Sequence, residues 1–160
     1  MTISVGDKIP DVSVMVASEN GPEQVQTSEL LGAGKVALFS LPGAFTPTCS
    51  AKHLPGFVEK ADAFKSKGVD KIVCMSVNDA FVMGAWADSQ NASGTVEMLA
   101  DGNGDFARAL GLTMDGTGFG MGERAQRFSV IIENGVVKEL NIEEPGAFDV
   151  SSAEHMLGQL

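Results

Sequence analysis

The run Val36-Ala37-Leu38-Phe39-Ser40-Leu41 stops at Pro42-Gly43 and gives way to helical spacing, and this transition narrows the fold more than any other stretch. Six residues with one polar interruption are what a strand buried on both faces of a sheet requires. After the loop Ala44 to Pro47, the residues Leu54, Phe57, Val58, Ala61 and Phe64 recur at helical spacing within Thr48 to Lys67, and Gly68 is the stop. A buried strand needs cover on both sides. The chain must therefore layer helices against a sheet.

The remaining segments extend that pattern. Val12, Val14 and Val16 alternate as in a half-buried strand, and Lys71 to Val77 reads as a second buried strand. Asn78 or Asp79 then caps a helix through Phe81, Val82, Ala85 and Trp86. Glu97 to Ala100 predicts a short strand, Phe106 to Leu110 a short helix ending at Gly111, and Asp115 to Gly122 a glycine-rich loop. Gln126 to Glu133 and Val136 to Leu140 flank Asn134-Gly135, a strong hairpin signal. Ser151 followed by Glu154 resembles a capping box opening a last helix to Leu160. This order predicts an α/β fold whose central mixed β-sheet is flanked by helices, and a thioredoxin-like sheet fits it. No repeat, low-complexity tract or linker interrupts the chain, so residues 1–160 are expected to form one domain.

Charge and composition exclude several functions. Eleven basic against 21 acidic residues give a net charge of -10, so a nucleic-acid backbone or an anionic membrane surface is repelled on average. No stretch approaches the run of about 20 apolar residues that a membrane helix needs. Met1 to Pro10 carries Asp7 and Lys8 where a signal peptide requires an apolar core. A soluble cytoplasmic protein is the expectation, and an organelle reached through a removed transit peptide is compatible with it. Two cysteines do not make a disulfide framework, so Cys49 and Cys74 are read as catalytic or as buried.

Cys49 lies where the strand Val36 to Leu41 has ended and a helix begins. Unpaired backbone N–H groups and the positive end of a helix dipole favour a thiolate there, and the thiolate is the attacking form. Pro42 and Pro47 confine the loop, and Thr46, three residues before the cysteine, has a hydroxyl that can donate and accept hydrogen bonds beside the sulfur. The plainer reading makes Cys49 a small buried hydrophobe and the prolines mere turn formers.

Pro42, Thr46 and Cys49, spaced Pro-x-x-x-Thr-x-x-Cys, match the active-site motif of the peroxiredoxins. The segment Pro42 to Ser50 resembles the peroxiredoxin 5 or type II subgroup. The resemblance continues through His53 to Phe57, Ser76 to Asp79, Arg127-Phe128-Ser129 and Gly135 to Lys138, and so covers essentially the whole chain. It implies a thiol-dependent peroxidase acting on hydrogen peroxide and organic hydroperoxides. Cys49 would be the peroxidatic cysteine and Thr46 a hydrogen-bond partner of the peroxide, with Pro42 shielding the site and Arg127 completing it. Glutathione with glutaredoxin, or thioredoxin, would supply the electrons. It also implies a homodimer and no metal, flavin, haem or other cofactor. Arg124 competes with Arg127, and only the Arg-Phe-Ser context selects the latter.

Cys74, 25 residues beyond Cys49, sits at the position of the resolving cysteine in plant-like type II members. Its neighbours Val73, Met75 and Val77 equally fit a core residue, so both readings stand, with a lean toward the core. His53 is one turn beyond Cys49. Two histidines and two cysteines without paired spacing do not make a zinc site, and no third group completes a protease triad, so a packing or hydrogen-bonding role fits His53. Gly116, Gly118, Gly120 and Gly122 follow no phosphate-loop spacing and read as a flexible rim. A thiol–disulfide oxidoreductase remains a competing function, although Thr46 stands where its first cysteine belongs. A peroxide sensor that uses Cys49 as a switch is another.

Overall fold

The computed structural model describes residues 1–160. The strands are β1 (Ser13–Ser18), β2 (Gly21–Gln26), β3 (Lys35–Ser40), β4 (Lys71–Ser76), β5 (Glu97–Ala100), β6 (Thr113–Asp115), β7 (Glu123–Ala125), β8 (Phe128–Glu133) and β9 (Val136–Ile142). The helices are α1 (Thr27–Leu31), α2 (Leu54–Glu59), α3 (Ala61–Ser66), α4 (Ala80–Ser89), α5 (Asp105–Leu110) and α6 (Ala153–Leu157). Seven strands form one sheet in the order β2-β1-β5-β4-β3-β8-β9, and β6 and β7 pair separately. Strands β3, β4 and β5 run parallel, while β1, β2, β8 and β9 are antiparallel additions, giving the mixed sheet expected.

The near-continuous apolar runs are explained by the pleat. Successive residues of β3 point to opposite faces, and both faces are covered. Ala37 and Phe39, with Cys74 and Met98, join α2, α3, α4 and α6 in one apolar cluster. Val36 and Leu38, with Val73, Met75 and Leu99, join α1 and α5 in the other. Asp79 caps α4 by accepting from Val82 N at 2.8 Å. Asn134 and Gly135 take the left-handed conformations of a tight hairpin turn between β8 and β9.

Four details depart from expectation. The helix predicted over Thr48 to Lys67 is three pieces. Cys49–His53 forms a wide turn in which Leu54 N–H reaches the Cys49 carbonyl, then α2 and α3 follow with a break at Lys60. Pro55 has no N–H for an ordinary helical bond, and Gly56 and Val58 are weak helix formers. The last helix is α6, shorter than predicted and capped by Ser152, which accepts from His155 N, because the Ser151 hydroxyl is bonded to Glu143. The glycine-rich stretch connects β6 and β7 and holds a short helical turn at Thr117–Phe119. Strand β2 and helix α1 carry no signal noted in the sequence.

Candidate active site

Strand β3 delivers Leu41 to the edge of the core, and the loop after it is held in shape by side chains distant in sequence. Asn78 Oδ1 accepts from Ala44 N at 3.0 Å and from the Ser76 hydroxyl at 2.6 Å. Arg124 donates from Nη1 to the Pro42 carbonyl at 3.2 Å and from Nε to Met121 O at 2.9 Å. A Cβ at Gly43 would stand 2.9 Å from Arg124 Nη1 and 3.2 Å from Thr46 Cγ2, so any larger residue there would push the Arg124 guanidinium and the Thr46 side chain aside. Phe45 takes φ 64, a left-handed conformation, and its ring is 57% exposed. The loop is thus tied to β4 and β7 at once.

Thr46 Oγ1 donates to the Gly43 carbonyl at 2.6 Å. Its one hydrogen is committed, so the hydroxyl can only accept from anything else. The chain then enters the wide turn at Cys49. Ser50 in that turn is anchored by Trp86 Nε1 at 3.0 Å, from the buried face of α4.

Cys49 is fully buried and free of any disulfide. Arg127, just before β8, donates from Nη2 to Cys49 Sγ at 3.1 Å and from Nη1 to His53 Nδ1 at 2.7 Å. His53 Nε2 is 3.0 Å from the Ser151 carbonyl. The Phe148 ring lies under the guanidinium, 5.8 Å from its carbon to the centroid. Burial, and then the charge of Arg127, lower the His53 pKa to about 3. Glu143 accepts from Asp149 N, Ser151 N and the Ser151 hydroxyl at 2.6, 2.9 and 2.7 Å. Burial opposes its charge, yet these hydrogen bonds prevail and hold the carboxyl below its ordinary value.

Among the residues expected from sequence, the structure brings Cys49 and Arg127 into direct contact, with Thr46 and Pro42 in the loop that precedes the cysteine. Arg124 braces that loop and makes no hydrogen bond to the sulfur. Cys74 is fully buried in the middle of β4, paired with Phe39 and Met98. Burial first, and the nearby Cys49 second, push its thiol well above the usual value. Asn78, Trp86 and Glu143 escaped the functional reading of the sequence. Their roles are contacts across 34, 36 and 8 residues, visible only once folded. No three metal-ligating side chains converge anywhere in the chain, and no helix is long and apolar enough to cross a membrane.

Comparison with known proteins places this geometry in context. The redoxin family matches residues 4–157. The chloroplastic peroxiredoxin-2E-2 of Oryza sativa subsp. japonica is 51% identical over 99% of this chain and 73% of its own length. Peroxiredoxin-2B of Arabidopsis thaliana is 47% identical, covering 99% of this chain and 98% of its own. The crystal structure of reduced Prx3 in complex with hydrogen peroxide from Vibrio vulnificus superposes with a TM-score of 0.95 at 49% identity, over 99% of both chains.

Proposed function

The chain belongs to the redoxin family and is a thiol-dependent peroxidase of the type II peroxiredoxins, and from that premise we propose that Cys49 is its peroxidatic residue, assisted by Thr46, Arg127 and Pro42. The observation that carries the assignment is the hydrogen bond from Arg127 Nη2 to Cys49 Sγ. An arginine is always charged and only donates, so it can stabilise a thiolate on the sulfur it faces and the negative charge that develops during attack.

The Cys49 thiolate attacks the terminal, proton-bearing oxygen of the hydroperoxide. The S–O bond forms as the O–O bond breaks, sulfur is oxidised to sulfenic acid, and the departing oxygen takes a proton to leave as water or an alcohol. Thr46, its own hydrogen given to Gly43, accepts the hydrogen bond of the peroxide O–H and sets its direction. Arg127 stabilises the charge that moves from sulfur onto oxygen. Pro42 shields the approach to the sulfur.

A thiol reductant completes the cycle, thioredoxin-type in this family generally. In our reading an external thiol, glutathione with glutaredoxin or thioredoxin, condenses with the sulfenic acid to a mixed disulfide and water, and a second thiol releases Cys49. Cys74 then serves as a core residue. Its place inside the sheet supports this, since Cys74 is fully buried on a strand paired on both sides, and a disulfide to Cys49 would require the turn that carries Cys49 to unwind.

We also read residues 1–160 as one domain that works as a homodimer. Phe45, Phe119 and Phe81, exposed at 57%, 83% and 75%, are apolar surface that a second copy could cover. Two free thiols fit a reducing compartment, the cytoplasm in this reading. The test is peroxide consumption with each reductant, beside mass spectrometry of protein oxidised without added thiol. Turnover with glutathione and glutaredoxin and a sulfenic acid at Cys49 are expected. A dominant Cys49–Cys74 disulfide would assign the second cysteine to resolution.

A further inference from the structure

Two hydrogen bonds dictate the state of His53. A guanidinium only donates, so His53 Nδ1, 2.7 Å from Arg127 Nη1, presents its lone pair. A carbonyl only accepts, so His53 Nε2, 3.0 Å from Ser151 O, carries the hydrogen. Both neighbours require the same neutral tautomer. Neither nitrogen has a lone pair left for a metal or for a proton from substrate, which removes His53 as base or ligand.

The ring also has little room to turn. Phe39, Phe57 and Phe148 surround it with centroids at 4.9, 5.8 and 5.0 Å, and its side chain is fully buried. Behind it, Glu143 holds Ser151 by both its N–H and its hydroxyl, fixing the carbonyl that receives Nε2–H. In front, the guanidinium is planar, so fixing Nη1 fixes the direction of Nη2, the nitrogen that meets the sulfur.

We propose that His53 is a positioning residue for peroxide reduction, whose Nδ1 aims Arg127 at Cys49 and whose own orientation is set by Ser151 and Glu143. This rests on the roles given above to Cys49 and Arg127. Through this chain of contacts the segment Asp149 to Ser151 is mechanically connected to the reacting sulfur.

Asparagine can keep an acceptor near the place of Nδ1, glutamine can keep a donor near the place of Nε2, and leucine keeps neither. Single-turnover oxidation of Cys49 by hydrogen peroxide is therefore measured for His53→Asn, His53→Gln and His53→Leu, with circular dichroism to confirm folding. His53→Gln and His53→Leu are expected to slow the step about tenfold, the scale of one hydrogen bond to a charged group, and His53→Asn to recover most of that loss. Each variant is repeated with Arg127→Met. If His53 acts through Arg127, His53→Gln costs nothing further in that background.

Equal losses in His53→Asn and His53→Gln, or an undiminished loss with Arg127→Met, would overturn the proposal. Should His53→Leu fail to fold, the asparagine–glutamine contrast decides. Peroxide consumption by Cys49→Ser is measured alongside: normal consumption there, or a normal rate of Cys49 oxidation in Arg127→Met alone, removes the underlying assignment and this one with it. Slow Arg127→Met with no dependence on the His53 acceptor removes this one only.

Discussion

The two cysteines occupy one apolar cluster and are equally buried, yet their surroundings differ in a single respect that matters for chemistry. Cys74 sits mid-strand with apolar neighbours, and no donor faces its sulfur; burial raises its thiol and leaves it inert. Cys49 sits at the end of a loop, in a turn that begins a helix, where Arg127 reaches the sulfur. Depth alone does not decide what a cysteine can do. What decides is whether the fold supplies a charged donor at the sulfur, which a strand interior cannot do without spending a core position.

The sharpest way to break this contrast is to exchange sulfur for oxygen at each site. Cys49→Ser is expected to abolish peroxide consumption with the circular dichroism spectrum intact, since a serine hydroxyl lacks the acidity and nucleophilicity of the thiolate. Retained turnover would make Cys49 no different from Cys74. Next in size are the groups around the sulfur. Arg127→Met and Thr46→Val should each slow peroxide attack about a hundredfold, the scale of one lost transition-state donor or acceptor, in stopped-flow measurements. Arg124→Met acts only through the loop and should cost about tenfold or less. The reverse order would transfer the role to Arg124.

Acid sharpens the comparison from another side, because the Cys49 region contains a buried base and the Cys74 strand does not. The His53 pKa falls from 6.5 to about 3 in the folded chain, so the unfolded state binds the extra proton between those values. Stability therefore rises with pH in that window and is lost as pH falls, by at most about 1.4 kcal/mol per pH unit. Glu143, also depressed, adds a loss of the same sign below its ordinary value of 4.5. His53→Asn should flatten the slope of denaturant melts between pH 6.5 and about 5, which separates the His53 share from that of Asp101, whose pKa is raised by burial and whose effect has the opposite sign. Smallest is Cys74→Ser. It should lower stability by about 1–3 kcal/mol by placing a hydroxyl in an apolar strand, and leave glutathione- or glutaredoxin-supported turnover in place.

The parts of this arrangement that could be read from the sequence are those written locally. Strands β3 and β4 announce themselves because both their faces are buried, and the Asn134-Gly135 turn because its backbone admits few residues. Strand β2 is an edge strand with no buried residue and Val25 as its one large apolar side chain, so it leaves no apolar pattern. The motif Pro42, Thr46, Cys49 was legible as a spacing, and Arg127 only through its neighbours. Its advantage over Arg124 is a distance, set by where β8 begins. The capping role of Ser152 was misplaced by one residue, because a serine bonded to a buried carboxylate and a serine capping a helix look alike until Glu143 is in view. Asn78 shows the same limit: beside Asp79 it reads as a cap, whereas its side chain turns back to hold Ala44.

Glu143 grips the segment beside the active site largely by its main chain. Two of its three hydrogen bonds go to the amides of Asp149 and Ser151, and an amide N–H belongs to every residue except proline. The wall of the site is thus specified by a single carboxylate rather than by the residues that compose the wall. Position 149, exposed and held only through its backbone, is open to almost any side chain. Variation can accumulate there and alter what approaching molecules meet, while the carbonyl presented to His53 keeps its place.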